Sequence, residues 1–253
     1  MDLRQLYSRV RRCVDDYGMI DDGDNIAVGV SGGKDSLCTL AGLAGLARFY
    51  PKKFSVTAIT LDLGYGTDYS RIREYCKNLG VEYRIVATQI KQIVFDIRKE
   101  ENPCALCANM RRGALNSAAK EAGCSKVALG HHLDDVVETF LMSLIYEGRF
   151  ASFAPVTYLD RTGITVLRPL LYCREYETRS LSAAENLPVT KNACPADGAT
   201  KRQKVKEIAG VLKAERADIY EKIFGAVQRY PLRGWETMPL TKGKEEDIIE
   251  SGK

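Results

Sequence analysis

The stretch Ile26-Ala27-Val28-Gly29-Val30-Ser31-Gly32-Gly33-Lys34-Asp35-Ser36 decides the fold. Apolar strand material, residues 25–30, runs straight into a loop of small residues. A helix-forming stretch over 36–49 follows and is stopped by Pro51. Small residues let a backbone approach an anion closely, and the free N–H groups and positive dipole end of the next helix point at it. This is not a Walker A loop, because Val28 stands where that motif needs glycine and Asp35 where it needs Ser or Thr. Nor is it a dinucleotide fingerprint: Gly64-Tyr65-Gly66 has no third glycine three residues on.

Working outward, strands and helices alternate with short connections. An amphipathic helix carries Leu3, Leu6, Tyr7, Val10 and Val14 and ends near Gly18. Strands are expected at 25–30, 54–61, 81–87, 125–130 and 164–167, and helices at 69–79, 89–99, 105–121 and 134–146. That order predicts an α/β fold, doubly wound, with a mainly parallel five-stranded sheet. After Leu171 the pattern is helical only, over 174–186 and 200–228. The expected organisation is an N-terminal helix (1–22), a nucleotide-binding domain (23–171), a small helical C-terminal appendage (172–235) and a charged tail (236–253).

Composition bounds the function. The chain has 253 residues and a net charge of +4, which permits an RNA partner without requiring one. No apolar run reaches the roughly 18 residues of a membrane span, and Met1-Asp2-Leu3-Arg4-Gln5 lacks the apolar core of a secretion signal. A cytoplasmic location is expected, with no membrane partner. The 8 cysteines then read as thiols or metal ligands rather than disulfides.

Two further segments carry chemistry. Both histidines of the chain stand in Gly130-His131-His132-Leu133-Asp134-Asp135, at the end of the fourth expected strand. Asp134 and Glu138 share one helical face, Asp135 and Thr139 another. Acids there complement a helix N-terminus, yet one would serve. Leu61 and Asp62 end the second strand, at the carboxyl edge where open α/β sheets hold ligands, and are candidates for contacting one. The other segment is Cys104-Ala105-Leu106-Cys107, at the start of a helix that Asn102 would cap and Pro103 would open. The dipole there is expected to favour thiolate. On spacing alone the pair reads as a redox dithiol, half a zinc site or part of an iron–sulfur site.

Ser31-Gly32-Gly33-Lys34-Asp35-Ser36 resembles the PP-loop of the ATP pyrophosphatases. From Leu3 to about Trp235 the chain is similar to the tRNA 2-thiocytidine synthetase family, PP-loop iron–sulfur enzymes that thiolate tRNA. The pieces that carry this are the PP-loop, Cys104 and Cys107, Arg111-Arg112-Gly113, Gly130-His131-His132, Arg168-Pro169-Leu170, Tyr172-Cys173-Arg174-Glu175 and Arg202-Gln203. The resemblance implies a Rossmann-like PP-loop fold in which Val30, Ser31, Gly32, Gly33, Lys34, Asp35, Ser36, Leu61, Asp62 and Gly130 bind ATP. It implies Mg²⁺ beside Asp35, and a 4Fe-4S cluster on Cys104, Cys107 and Cys194. Cys13, Cys38, Cys76, Cys124 and Cys173 are left as small core or surface residues. The sequence departs from the family in one respect: Lys191 replaces the first cysteine of a second C-x-x-C, leaving Cys194, with Pro195-Ala196-Asp197-Gly198 as turn material beside it.

The implied reaction adenylates the C2 oxygen of a pyrimidine in tRNA, an anticodon-loop cytidine, and replaces it with sulfur. Arg111 would stabilise developing charge, and Asp135 would bind Mg²⁺ or move a proton. The basic start of the helix at 200–206 is either a tRNA phosphate contact or a solvated face. The partners implied are tRNA and a sulfur donor, a persulfide carrier or sulfide, with a homodimer left open. The alternatives are a cluster-free adenylating enzyme of the lysidine synthetase kind, a 2-thiouridine synthase, and an ATP-binding iron–sulfur redox sensor.

Overall fold

The computed structural model describes residues 1–98, 103–190, 194, 201–230 and 232–238. Six strands form one sheet: β1 (Asp24–Gly29), β2 (Phe54–Asp62), β3 (Glu82–Ala87), β4 (Lys126–Ala128), β5 (Val156–Leu159) and β6 (Ile164–Leu167). Their order is β3-β2-β1-β4-β6-β5, parallel except for β5, which pairs antiparallel with β6. The chain winds outward from β1 in both directions, so the β1/β4 boundary is the switch point where such sheets open a ligand crevice.

Five strands were expected and six are present. The additional one is Val156–Leu159, joined to β6 by the turn Asp160-Arg161-Thr162-Gly163 with Gly163 at φ 64°. Four residues at a sheet edge show too little alternation to announce a strand. The expected helix at 200–228 is two, α7 (Lys201–Glu215) and α8 (Ile219–Arg229), parted where Arg216 turns its guanidinium onto Asp218 at 2.6 Å. The helix expected at 89–99 is a π-helical turn, Gln92–Arg98. Asn102, Lys191, the turn at 195–198, Thr200 and the tail beyond Met238 lie outside the described residues.

Helices cover both faces, as a parallel sheet requires. The N-terminal helix α1 (Leu3–Asp16) is closed by a capping box between Asp2 and Gln5 and buries Leu6, Val10, Cys13 and Val14. It lies close against α2 (Lys34–Leu46), because a Cβ on Gly45 would fall 2.2 Å from the Tyr7 ring. The main core joins these helices to α5 (Leu133–Glu147) and α6 (Glu175–Ala184), and to Phe224 and Trp235 from the C-terminal region. A smaller core beneath α4 (Pro103–Glu121) holds Ala27, Ile59, Ala118, Ala119 and Val127, while α3 (Ser70–Leu79) closes the β3 side. Trp235 is fully buried and donates its indole N–H to the Phe153 carbonyl at 3.1 Å. Cys13, Cys38, Cys76, Cys124 and Cys173 are all buried, which makes them core rather than surface residues.

Candidate active site

The loop between β1 and α2 is shaped by its own hydroxyls. Ser31 N–H donates to Ser36 Oγ (3.1 Å), Gly33 N–H to Ser31 Oγ (3.3 Å), and Ser36 Oγ–H to the Gly33 carbonyl (2.8 Å). Gly33 caps α2 without a side-chain acceptor, so the first amides of the helix stay open toward an anion. Two glycines are required by what touches them. Gly32 stands at φ 84°, and its carbonyl accepts Thr190 N–H at 2.9 Å. A Cβ on Gly130 would meet the Asp35 carbonyl carbon at 2.8 Å. The end of β4 therefore lies directly against the start of α2.

Charged side chains bind this loop to the C-terminal helices. Lys34 Nζ lies 2.8 Å from Asp35 and 3.3 Å from Glu175 at the start of α6. Burial acts to lower the Lys34 pKa, but the two carboxylates outweigh it and hold the pKa above its ordinary value. Burial likewise opposes ionisation of Glu175, yet Lys206 and Lys34 bring it down to about 2. Thr178 Oγ–H donates to Asp35 Oδ1 at 2.6 Å.

At the start of α5, His132 is the N-cap. Its Nδ1 accepts Asp135 N–H, and its own N–H donates to Asp135 Oδ2 at 3.0 Å. The other Asp135 oxygen accepts Arg202 Nη1 at 2.7 Å. Asp134 turns away from the loop. It accepts Arg174 at 3.1 Å and Glu175 N–H at 2.8 Å, tying α5 to α6. The two neighbouring acids thus do different work. Glu138 is buried, with Oε2 lacking a hydrogen bond among the described residues, and Lys206 and Arg202 stand 3.6 and 3.8 Å away. Burial pushes its carboxyl up to about 7 against the pull of those cations.

Within the basic stretch at 200–206, Arg202 pairs with Asp135 and Lys206 with Glu175, and both stand near the buried Glu138, so simple solvation does not describe these two side chains. Sequence reasoning gave no role to Glu175, Arg174 or Thr190, although Arg174 and Glu175 sit in a segment it quoted. Leu61 and Asp62 do stand at the carboxyl end of β2, both partly exposed, with Asp62 Oδ1 accepting Gly64 N–H at 3.0 Å.

The cysteines form a second cluster. Cys104 is exposed, and Cys107 and Cys194 are half-buried. Burial raises the Cys107 thiol above its ordinary value, Arg111 pulls it back, and nearby Cys194 and Cys104 push it up again. The expectation that the helix start lowers this thiol does not hold, because burial wins. Tyr65, which sequence reasoning missed, reaches in from Gly64-Tyr65-Gly66. Its hydroxyl bonds Cys194, and burial followed by the Cys194 charge raises it to about 12. Thr190, bonded to Gly32, precedes Cys194 by four residues, a reach of at most about 14 Å in extended chain. Among the described residues no three His, Cys, Asp or Glu side chains are close enough to hold a single metal ion. A thiol-only donor set suits an iron–sulfur cluster better than a hard cation such as Mg²⁺.

Comparison with known proteins bears on this geometry. The PP-loop domain family described as ATP_bind_3 matches residues 3–208. The tRNA-cytidine(32) 2-sulfurtransferase of Geobacter sulfurreducens is 36% identical over 88% of this chain and 89% of its own. The protein of the same name from Sorangium cellulosum is 37% identical over 97% of this chain and 90% of its own. Among solved structures, the U34-tRNA thiolase NcsA from Methanococcus maripaludis with its 4Fe-4S cluster matches with a TM-score of 0.71, at 24% identity, over 90% of this chain and 78% of its own, which shows a common fold. Among the described residues no helix is long and apolar enough to cross a membrane.

Proposed function

The chain belongs to the PP-loop family of tRNA-cytidine 2-sulfurtransferases, and we propose that it uses ATP to activate the C2 oxygen of a tRNA cytidine, position 32 by the name of its relatives, and then exchanges that oxygen for sulfur. It is a transferase acting on tRNA. The observation that carries the finer reading is the junction at Thr190. One hydrogen bond ties the phosphate loop to the segment that ends in Cys194, and Cys194 in turn lies in electrostatic contact with Cys107.

In this reading the open amides of the loop, Ser31, Ser36 and Lys34 hold the phosphates of ATP. Lys34 exchanges Glu175 for the phosphates, leaving Glu175 with Lys206 at 3.2 Å. Asp35 and Asp135 are the carboxylates for Mg²⁺, which ordinarily takes one or two from protein and the rest from phosphate and water. Leu61 and Asp62 face the adenosine, and Gly130 lets the end of β4 close against the start of α2, which seats the loop that binds the phosphates. Cys104, Cys107 and Cys194 would hold a 4Fe-4S cluster, which would present sulfide to the base in nucleophilic form. Arg111, beside the Cys107 thiol, favours its ionised form and stabilises negative charge developing at the base.

The test is reaction of anaerobically reconstituted protein with ATP, Mg²⁺, sulfide and tRNA, followed by nucleoside mass spectrometry and phosphate analysis. AMP, pyrophosphate and 2-thiocytidine are expected. ADP and phosphate as products, or pyrophosphate with no thionucleoside, would contradict the reading.

A further inference from the structure

The phosphate loop and the cysteines leave one cluster at the sheet's carboxyl edge without a role. His131 follows β4 and Arg168 follows β6, its parallel neighbour. Phe153 packs against both, its ring 4.9 Å from the His131 ring at 40° and the Arg168 guanidinium 4.9 Å from its centre. All three are partly exposed, so a ligand can reach them. Arg168 is fixed flat by Nη1, which donates to the Ala154 carbonyl at 2.5 Å and to Thr157 Oγ1 at 3.0 Å.

Two features of this cluster are costly as they stand. Arg168 Nε and His131 Nδ1 are both buried and have no hydrogen-bond partner among the described residues. Buried polar atoms are rarely left unpartnered without a water, a ligand or a functional reason. Arg168 also has no carboxylate partner among the described residues. Burial and then the charge of Arg112, from α4, push its pKa down to about 10. Two guanidinium groups brought together without a counter-ion call for an anion. Burial and then Arg168 push the His131 imidazole down to about 4, so at neutral pH the ring is uncharged, with one nitrogen donating and one accepting.

The position narrows the ligand. The phosphate loop follows β1, and the proposed adenosine contacts lie on the β2 side of it. The cluster lies on the other side, at β4 and β6. It begins one residue after Gly130, whose backbone touches Asp35 and Ser36 of the loop. Arg112 follows Arg111 on the helix that bears Cys104 and Cys107. The cluster therefore borders the phosphate loop through Gly130 and the cysteine-bearing helix through Arg112. An aromatic face, a neutral imidazole with a free nitrogen and paired guanidinium groups together fit a nucleotide: base against ring, phosphate against arginine.

We propose that His131, Phe153 and Arg168, with Arg112 at the rim, form the seat for the tRNA nucleotide to be modified, the base lying against Phe153 and its phosphate against the two arginines. This rests on the thiolation reading above and names its substrate subsite.

The experiment measures tRNA-dependent pyrophosphate release and, separately, ATP affinity, in wild type and in Phe153→Leu, Arg168→Lys, His131→Gln and Arg112→Ala. Arg112 is exposed on α4, so its loss leaves the core intact. Phe153→Leu should raise the KM for tRNA about ten- to a hundredfold, the range for one base stacked on an aromatic ring, with ATP affinity within twofold. Arg112→Ala should raise it less, and His131→Gln, which keeps a donor and an acceptor, should be milder than Phe153→Leu. In case the core variants fail to fold, a tRNA carrying 4-thiouridine at position 32 is irradiated with wild type, and the cross-link should map to Phe153 or His131. An unchanged KM for tRNA in Arg112→Ala, with a cross-link elsewhere, overturns the seat. Lost ATP affinity with an unchanged KM for tRNA overturns it too, by assigning the cluster to ATP. A wild type without tRNA-dependent pyrophosphate release overturns the thiolation reading, and the seat with it.

Discussion

The phosphate loop and the cysteine cluster are separated by as little as four residues of chain, at Thr190 and Cys194, yet they are built in opposite ways. The loop is over-determined. Its hydroxyls bond one another, its glycines are fixed by what presses on them, and Lys34, Asp35 and Glu175 hold one another in place. The three cysteines stand nearer the surface: Cys104 is exposed at the start of α4, and Cys107 and Cys194 are half-buried. Activating a phosphate requires preorganised donors, because electrostatic stabilisation works only when nothing has to reorganise. A sulfur-delivering site must take up and release its cargo, and a rigid buried cage would hinder that. On the function proposed above, the difference implies that the two half-reactions rest on separate residues and should fail separately.

The largest effect should come from Lys34→Ala. Pyrophosphate release should fall about a hundred- to a thousandfold, as when a preorganised charge donor is removed, while iron content after reconstitution stays at the wild-type level. Loss of iron in that variant would mean the two regions are one. Gly130→Ala forces a methyl group against the Asp35 backbone and should damage ATP binding with it. Gly113→Ala, with nothing within 4 Å on α4, should instead raise stability by about 0.5–1 kcal/mol in a thermal melt.

Arg202→Gln probes the seam between the regions. It strips Asp135 of its partner at 2.7 Å and should slow pyrophosphate release about tenfold, the size of one charge-assisted hydrogen bond. No change would return Arg202 to the role of a surface charge. Glu138 offers a pH signature. Its folded pKa, about 7, lies above the ordinary value of 4.5, so the folded state holds a proton that the unfolded state has lost. Its contribution to stability is present below pH 4.5 and is lost as pH rises toward 7, by at most about 3 kcal/mol. Glu138→Gln should flatten that slope in denaturant titrations between pH 5 and 8, and an unchanged slope would assign it to another group.

The same contrast governs what the sequence discloses. A strand, a run of small residues and a helix are local, so the phosphate loop and the alternation around it are legible residue by residue. The five buried cysteines separate from the other three by their apolar surroundings. What escapes is pairing across distance. Nothing near Arg202 marks it as the partner of Asp135, 67 residues away, and nothing near Thr190 marks it as a lid on Gly32. Strand β5 escapes because four edge residues carry almost no period, and Tyr65 because its two glycines read as turn and its target lies in another segment. The inward turn of Lys206 toward Glu138 and Glu175 is invisible for the same reason: charge on a helix looks alike whether it faces water or buried acid.

The separate failure of the two halves is tested most directly in Cys107→Ala. Supplied with ATP, Mg²⁺, sulfide and tRNA, this variant is assayed for pyrophosphate and for 2-thiocytidine in one reaction. The account predicts ATP-dependent pyrophosphate release with no thionucleoside, since the loop that activates the base is untouched. Thionucleoside at the wild-type level, or complete loss of pyrophosphate release with ATP binding intact, would contradict it.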